Sequence, residues 1–310
     1  MFGFTPYNYE TFRRNLLIKD MVMTRFLGAP KPGGKAPDFE GRTVDGDRIR
    51  LSDYQGESNV VLTFGSATCP FTAASLRGLN DLYEEFGDEV EFLFVYVREA
   101  HPGEELGPHK EMRDKVRAAE LLREEEEVEM PMIVDDLDGR IHRKYGKAPN
   151  PPYLIDRSGR IAFRMLNTHT TVLGEAIEEL LERQEERGAD HVIVHGGEYN
   201  GIPKASALLH THRALKRGGN KSIDDFKQEM GWPGRLAVHG SHAVEPVIEH
   251  PLTILSMAGA VAGVVALGIW GGMALRKRRL QPFRDPYDYG QFKSRRRDRN
   301  DQSDYEAVGI

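Results

Sequence analysis

The sequence predicts an α/β domain, with a mixed central sheet flanked by helices, and one transmembrane helix near the C-terminus. Two apolar runs of strand length, residues 59–64 and 90–97, alternate with stretches in which apolar residues recur at helical spacing. Residues 252–275 are 24 residues without a charge, enough to cross a hydrocarbon core about 30 Å thick. These observations divide the chain into five parts, namely an amphipathic N-terminal helix (1–29), the α/β domain (30–188), a histidine-rich neck (189–251), the transmembrane helix (252–275) and a basic polar tail (276–310).

The composition is that of a globular protein, with 39% hydrophobic and 29% charged residues. The net charge is −6 at pH 7, and the domain has no cluster of Lys and Arg, so we predict no nucleic-acid partner. The chain has one cysteine, which excludes an intramolecular disulfide and a cysteine-based zinc site. We predict no cofactor.

The N-terminal part predicts an amphipathic helix over residues 9–27, because apolar residues recur at positions 9, 12, 16, 23 and 27. The helix either packs on its own domain or docks on a membrane surface or a partner. A Pro/Gly-rich linker, residues 28–37, follows it. Asp45-Gly46 then predicts the turn of a hairpin within residues 41–51.

The only cysteine, Cys69, lies between the first buried strand and a helix predicted over residues 72–86. Pro70 suits the first turn of that helix, where no backbone N–H is needed. A thiol at this place faces unpaired N–H groups and the positive end of the helix dipole, so we expect its pKa to be lowered. Thr72 lies one turn further, where its hydroxyl can donate to the sulfur. The alternative is a small, buried and inert side chain.

Glu99 and His101 follow the second buried strand, residues 90–97. Reactive groups in open α/β sheets gather beyond the carboxyl ends of the strands, so neighbouring parallel strands bring both residues near Cys69. His101 is then a candidate general acid or ion-pair partner of the thiolate, and Glu99 a candidate to orient it. The alternative is a pair of solvent-exposed loop residues.

The remaining pattern of the domain alternates short helices and strands. It predicts a charged helix (105–129), a strand (130–134), a short helix (137–145), two strands joined by a turn (153–155 and 161–165) and an amphipathic helix (171–187).

Residues 59–72 and 90–104 together resemble the bacterial deiodinase-like branch of the thioredoxin/peroxiredoxin superfamily. Iodothyronine deiodinases carry a selenocysteine after a similar Phe-Gly-Ser-x-Thr, and their second block ends in Glu-Ala-His, here Glu99-Ala100-His101. The resemblance covers roughly residues 30–185 and implies a thioredoxin-like fold. Two departures are Cys69 at the position of the selenium and Thr72 in place of the second cysteine of a Cys-x-x-Cys pair.

The resemblance also implies site residues. Catalytic roles fall on four of the residues introduced above: Cys69, Thr72, Glu99 and His101. Thioredoxin-like folds place a cis-proline opposite the reactive cysteine, and we match it to Pro152, with Pro151 as runner-up. We expect Pro152 and Thr68 to contact the substrate.

The neck contains seven of the 11 histidines of the chain. His210-x-His212 and His239-x-x-His242 have spacings that suit a metal, but neither a cysteine nor an HExxH helix accompanies them. We therefore predict no metal site. We expect a polar, partly extended neck with short helices near residues 205–217 and 223–230 that pack on the domain or on a partner.

The membrane segment, residues 252–275, precedes four basic residues at 276–279 and predicts a single-pass protein. Gly259 with Gly263 and Gly268 with Gly272 place small residues at four-residue spacing, which predicts packing against other transmembrane helices in the lipid bilayer. The basic tail favours a cytoplasmic C-terminus. The N-terminal residues lack a signal peptide and favour a cytoplasmic domain, which is our prediction.

Two functions fit these features. The first is a membrane-anchored, single-cysteine redoxin-like oxidoreductase that acts on a peroxide or disulfide through Cys69, with an external thiol reductant because no second cysteine is present. We expect this chemistry rather than deiodination, since sulfur is a poorer nucleophile and leaving group than selenium. The second is a non-catalytic accessory subunit of a large membrane complex, of respiratory or photosynthetic type, that uses a borrowed fold.

Overall fold

The strands of the described residues form one mixed sheet. The computed structural model describes residues 6–199 and 206–249, all within the compact unit Met1–Glu249. In chain order the strands are β1 (Glu40–Thr43), β2 (Arg48–Arg50), β3 (Asn59–Gly65), β4 (Val90–Tyr96), β5 (Met132–Val134), β6 (Tyr153–Ile155), β7 (Ile161–Met165) and β8 (Glu198–Tyr199). Across the sheet they are ordered β2-β1-β5-β4-β3-β6-β7-β8.

β3 and β4 lie at the centre and pair in parallel over their full length. All seven residues of β3 are buried, which explains the continuous apolar run, because a central parallel strand is covered on both faces. The two strands end level, with Gly65 opposite Tyr96. The loops that follow therefore leave the sheet side by side, as the sequence predicts.

The helices cover this sheet. They are α1 (Arg14–Met23), α2 (Pro70–Phe86), α3 (Met112–Glu125), α4 (Arg140–Lys144), α5 (Thr170–Arg187), α6 (Ser206–Leu209), α7 (Thr211–Gly218) and α8 (Asn220–Glu249). α2 packs against α5 and also against α6 and α7. The predicted helix 105–129 is shortened to α3, since Gly107 and Pro108 disfavour helix at its start.

The first helix differs from the predicted amphipathic helix. It begins at Arg14 rather than near residue 9 and ends in a π-helical turn, Thr24–Gly28. It buries Asp20 and Thr24, which lie one turn apart, whereas Ile18 is 53% and Phe26 57% exposed. The polar face points inwards because Asp20 forms an ion pair with the buried Arg98.

The described part of the neck is extended or irregular over most of residues 189–199 and helical from α6 to α8, so it has the expected helices near 205–217 and 223–230, the second much longer than predicted. α7 buries Ala214 and Leu215 completely, and α8 buries Val238. These apolar contacts stabilise helices that are difficult to predict from the largely polar composition of this segment. Gly231, with φ of +66°, breaks the path of α8.

Within residues 6–199 and 206–249, no helix is long and apolar enough to cross a membrane. The transmembrane helix predicted for residues 252–275, its two glycine pairs and the basic tail all lie outside the described residues.

The strand order places a parallel pair, β3 and β4, beside the antiparallel hairpin of β6 and β7. The helix that follows β3 begins directly after the cysteine. The domain therefore has the thioredoxin-like fold that the sequence predicts.

Candidate active site

The cysteine loop, residues 66–69, joins β3 to α2. Cys69 is the N-cap residue of α2, and Pro70 opens the helix as expected. The loop closes on itself, since the backbone N–H of Cys69 donates to the carbonyl of Ser66 at 3.2 Å. Cys69 is a free thiol and only 1% exposed.

Burial governs the acidity of the thiol. It raises the pKa of Cys69, although hydrogen bonds from the Thr72 hydroxyl and from the backbone N–H groups of Thr72 and Phe71 oppose the rise. The geometry expected at the helix N-terminus is present, including the contact between Thr72 and the sulfur. The expected lowering of the pKa is wrong, because loss of solvent around the sulfur outweighs these donors.

Glu99 lies at the centre of a buried hydrogen-bond network. Its Oε2 accepts from the Thr68 backbone N–H at 2.9 Å and from the Thr68 hydroxyl at 2.6 Å. Its Oε1 accepts from the Tyr96 hydroxyl and lies 3.4 Å from Nε2 of His109. Because Thr68 belongs to the cysteine loop, Glu99 holds the residue next to Cys69.

The network sets the charge of Glu99. Burial pushes the pKa of the carboxyl up, but the nearby ring of His109 and the hydrogen bonds from Thr68 and Tyr96 more than offset this effect and leave the pKa below its usual value. The carboxylate in turn helps to raise the pKa of the Tyr96 phenol, for which burial is the larger cause. Tyr96 therefore stays protonated and donates to Glu99.

Backbone contacts join the cysteine loop to the histidine loop, which we define as residues 97–103. The His101 N–H donates to the Thr68 hydroxyl oxygen at 3.0 Å, and the Ala100 N–H donates to the Ser66 hydroxyl oxygen at 3.2 Å. Tyr96 adds a third link, since its hydroxyl oxygen accepts from the Ala67 N–H at 3.3 Å. The two loops form one rigid unit.

The imidazole of His101 departs from its expected role. Its ring lies 4.2 Å from the ring of Phe12 and 5.3 Å from that of Phe226. Nδ1 has no hydrogen-bond partner in the described residues, so Glu99 does not orient it by a hydrogen bond. Burial lowers the pKa of His101 to about 3. The ring is therefore neutral at pH 7 and cannot form an ion pair with a thiolate.

Pro152 also departs from its expectation. The described residues contain no cis peptide bond, so both Pro152 and its runner-up Pro151 are trans. The carbonyl of Pro152 accepts from the Met165 N–H at 3.1 Å, which is a contact within the β6–β7 hairpin. Asn150 approaches β3 instead, and its side chain donates to the Phe64 carbonyl at 2.8 Å. The backbone edge expected at Pro152 is already paired.

Sequence reasoning missed two members of the network, Tyr96 and His109. Tyr96 is the last residue of a largely apolar strand, and its hydroxyl is the polar group at the end where the loop begins. His109 lies eight residues past His101, in a stretch rich in glycine and proline. Only the folded loop places it against Glu99.

Metal ligation finds no support in the described part of the chain, where no group of three or more His, Cys, Asp or Glu side chains is placed to hold an ion. The rings of His212 and His242, which the sequence singles out by spacing, lie 4.2 Å apart.

The fold and the site together define a thioredoxin-like protein with a single buried cysteine beside a carboxylate network. A model of the iodothyronine deiodinase family matches residues 10–185, more than half of the chain. The chain belongs to the iodothyronine deiodinase family.

Individual relatives match part of their length. The chain is 31% identical over 146 residues to thyroxine 5-deiodinase of Gallus gallus, covering 44% of this chain and 55% of that protein. It is 29% identical over 171 residues to type I iodothyronine deiodinase of Xenopus laevis, covering 52% and 66%. The chain thus spans between half and two thirds of the length of these relatives.

Solved structures with a similar fold include the thioredoxin domain of a thiol-disulfide oxidoreductase from Bacteroides vulgatus. It is 19% identical, with a TM-score of 0.38 over 48% of this chain and 96% of that chain. The exposed lipoprotein thioredoxin of Streptococcus pneumoniae is 26% identical, with a TM-score of 0.37 over 47% and 99%.

Proposed function

We propose that this protein is a thiol-dependent oxidoreductase in which Cys69 reacts with a peroxide or a disulfide. The observation that carries the proposal is the buried network of Glu99, whose carboxylate accepts two hydrogen bonds from Thr68, the residue before the cysteine. Burying a charge is costly unless it is hydrogen-bonded, and the hydrogen bonds that offset this cost for Glu99 come from the cysteine loop and from Tyr96. We propose Thr68 as the residue nearest the bound substrate. Pro152 has no role in this proposal, because its carbonyl is already paired with the Met165 N–H.

With a peroxide, the sulfur attacks one oxygen and the O–O bond breaks. The departing oxygen takes the proton that leaves the thiol, which gives a sulfenic acid and an alcohol or water. An external thiol then attacks the sulfenic sulfur, releases water and leaves a mixed disulfide. A second external thiol frees the Cys69 thiol and departs as the oxidised disulfide. A disulfide substrate enters the same cycle at the mixed disulfide.

Family membership adds a third substrate class to test, an aryl iodide, since the relatives are named as deiodinases. In that reaction the sulfur accepts iodine as the carbon–iodine bond breaks, and the carbon takes up a proton in its place. External thiols then reduce the sulfenyl iodide to free thiol and iodide, and are themselves oxidised to a disulfide.

The second candidate function is the non-catalytic subunit of a membrane complex. One observation favours it: the thiol is 1% exposed and burial raises its pKa. Nucleophilic cysteines are ordinarily accessible and have lowered pKa values.

A single-turnover experiment separates the two candidates. The full-length protein is incubated with hydrogen peroxide, oxidised glutathione or an iodinated phenol, and the adduct on Cys69 is identified by mass spectrometry. We expect an adduct with at least one reagent, its loss in Cys69→Ser, and slower formation in Glu99→Gln. If none of these reagents modifies Cys69 under conditions in which iodoacetamide alkylates it in the folded protein, the subunit function is favoured.

We further propose that residues 252–275 anchor the protein in the membrane as a single pass, with the domain in the cytoplasm. The uncharged length of the segment supports this proposal. The pairs Gly259/Gly263 and Gly268/Gly272 are the proposed contacts with other transmembrane helices. Protection of the domain from protease in sealed, right-side-out vesicles is the expected result. Replacing either glycine pair by leucine is expected to reduce association in mild detergent.

A further inference from the structure

The last described helices, α6 to α8, lie across both loops of the site. We call residues 206–249 the C-terminal cover. Arg217 of α7 donates from Nη1 to the carbonyl of Ala67, in the cysteine loop, at 3.1 Å. Phe226 of α8 packs on the ring of His101, in the histidine loop. The cover therefore contacts each of the two loops directly.

Arg217 fastens the cover by buried ion pairs. Its side chain is only 5% exposed, and its Nε donates to Oε2 of Glu125 at 2.5 Å while Nη2 bonds to Glu126. Arg213 pairs with the same Glu126 at 2.8 Å. The side chain of Glu126 is itself only 6% exposed, so the ion pairs with Arg213 and Arg217 offset the cost of burying its charge. Removing Arg217 leaves the buried Glu126 with Arg213 as its remaining cation and ends the contact of the cover with Ala67.

A second attachment joins the cover to the end of the histidine loop. The carboxylate of Glu104 accepts from the N–H groups of Asn220 and Lys221, at 2.6 and 2.8 Å, and so caps the start of α8. Gly103 lies so close that a Cβ built on it would come within 2.0 Å of the Gly218 carbonyl oxygen. Only a glycine fits at position 103 while the cover is closed.

The cover lies outside the region that matches the deiodinase family, residues 10–185. We infer that it is a built-in gate: in the closed state it shields Cys69, and a reagent or substrate reaches the sulfur only after Arg217 has left the Ala67 carbonyl and Gly218 has moved away from Gly103. This inference rests on the proposed function, because it takes Cys69 as the reacting group. Its test, however, reads access to the sulfur rather than turnover.

The N-terminal segment is the competing gate. Tyr9 donates to the carbonyl of Ala100 at 2.8 Å, and the ring of Phe12 packs on His101 and also contacts Phe226 of the cover. If this segment opens while the cover stays closed, variants of the cover will not change access to Cys69.

The test measures the rate at which iodoacetamide alkylates Cys69 in the folded, full-length protein. Because Cys69 is the only cysteine, the mass change reports this site alone. Two variants open the cover by unrelated means: Arg217→Ala removes the ion pairs, and Gly103→Ala inserts a methyl group against Gly218. Their matched controls are Lys216→Ala, an exposed neighbour of the same charge, and Gly240→Ala, where an added Cβ meets open space.

We expect alkylation at least about tenfold faster in both opening variants, as breaking a buried ion pair shifts a local opening equilibrium strongly. The controls should stay within about twofold of the unchanged protein. If Arg217→Ala does not fold, Gly103→Ala alone decides. Unchanged alkylation rates in Arg217→Ala and Gly103→Ala overturn the inference. It is also overturned if the rates of all four variants simply follow their free energies of global unfolding, because access would then come from unfolding of the whole domain.

An acceleration by Tyr9→Phe alone assigns the gate to the N-terminal segment. If an opening variant is alkylated rapidly but reacts with none of the proposed substrates, the inference of a gate stands and the proposed function is contradicted.

Discussion

The buried imidazole of His101 predicts a specific loss of stability in acid. Its ring is 5% exposed and its pKa is lowered from 6.5 to about 3 by burial. Below pH 6.5 the unfolded chain takes up a proton on this residue, whereas the folded chain does not until the pH nears 3. The unfolded state therefore binds more protons across this window, and stability falls as the pH falls.

The magnitude follows from the pKa values of the folded and unfolded chains. A tenfold difference in proton affinity corresponds to about 1.4 kcal/mol, so between pH 7.5 and pH 4.5 His101 removes about 3 kcal/mol from the free energy of unfolding. His101→Phe abolishes this proton uptake and keeps an aromatic ring in the cluster with Phe12 and Phe226. We therefore expect the unchanged protein to lose about 3 kcal/mol more than the variant over this pH range.

Urea unfolding of the full-length protein in detergent, followed by circular dichroism at both pH values, measures the difference. The two proteins are also compared at pH 7.5, where His101 is neutral in both the folded and the unfolded chain. Any difference in stability at this pH reports the substitution itself and not the titration of His101. An equal pH dependence in the two proteins would refute the reasoning, since it would mean that His101 reaches water in the folded state.

Three further outcomes follow from the site. Arg98→Ala should lower the free energy of unfolding by about 3 kcal/mol, the low end for a broken buried ion pair, because Asp20 loses Arg98 but keeps Lys147 as a partner; chemical denaturation checks this value. Glu99→Gln should cost about 1–3 kcal/mol, since the amide cannot accept the same set of hydrogen bonds, and the loss should persist at high salt. Phe226→Ala should raise the pKa of His101 from about 3 towards 6.5 by admitting water; a titration of the ring by NMR detects this change, and an unaltered pKa would contradict it.

Local patterns predicted the centre of the fold well. The run Asn59–Phe64 lies in β3, residues 90–97 contain β4, and residues 72–86 form all but the first two residues of α2. Each is decided by hydrophobic periodicity within the element itself. β8, two residues long at the edge of the sheet, carries no such period, and its pairing with β7 depends on a distant part of the chain.

The site was predicted in part, for the same reason. Cys69 and Thr72 follow from the strand–loop–helix pattern, and the approach of Glu99 follows from two neighbouring parallel strands. The partner of Glu99 is His109 rather than His101, because loop conformation and not sequence distance decides which ring reaches the carboxylate. The direction of the thiol pKa was wrong for a related reason, since it depends on solvent exclusion by the whole fold.

The C-terminal cover also has a thermodynamic consequence for any molecule that binds at the site. Because the competing element belongs to the same chain, its local concentration does not change when the protein is diluted. A ligand that binds only the open form has its apparent dissociation constant multiplied by the reciprocal of the open fraction, so a site open about 1% of the time binds about 100-fold more weakly than its intrinsic affinity. Affinities measured on the intact chain will therefore combine the opening equilibrium of the cover with the intrinsic affinity of the site.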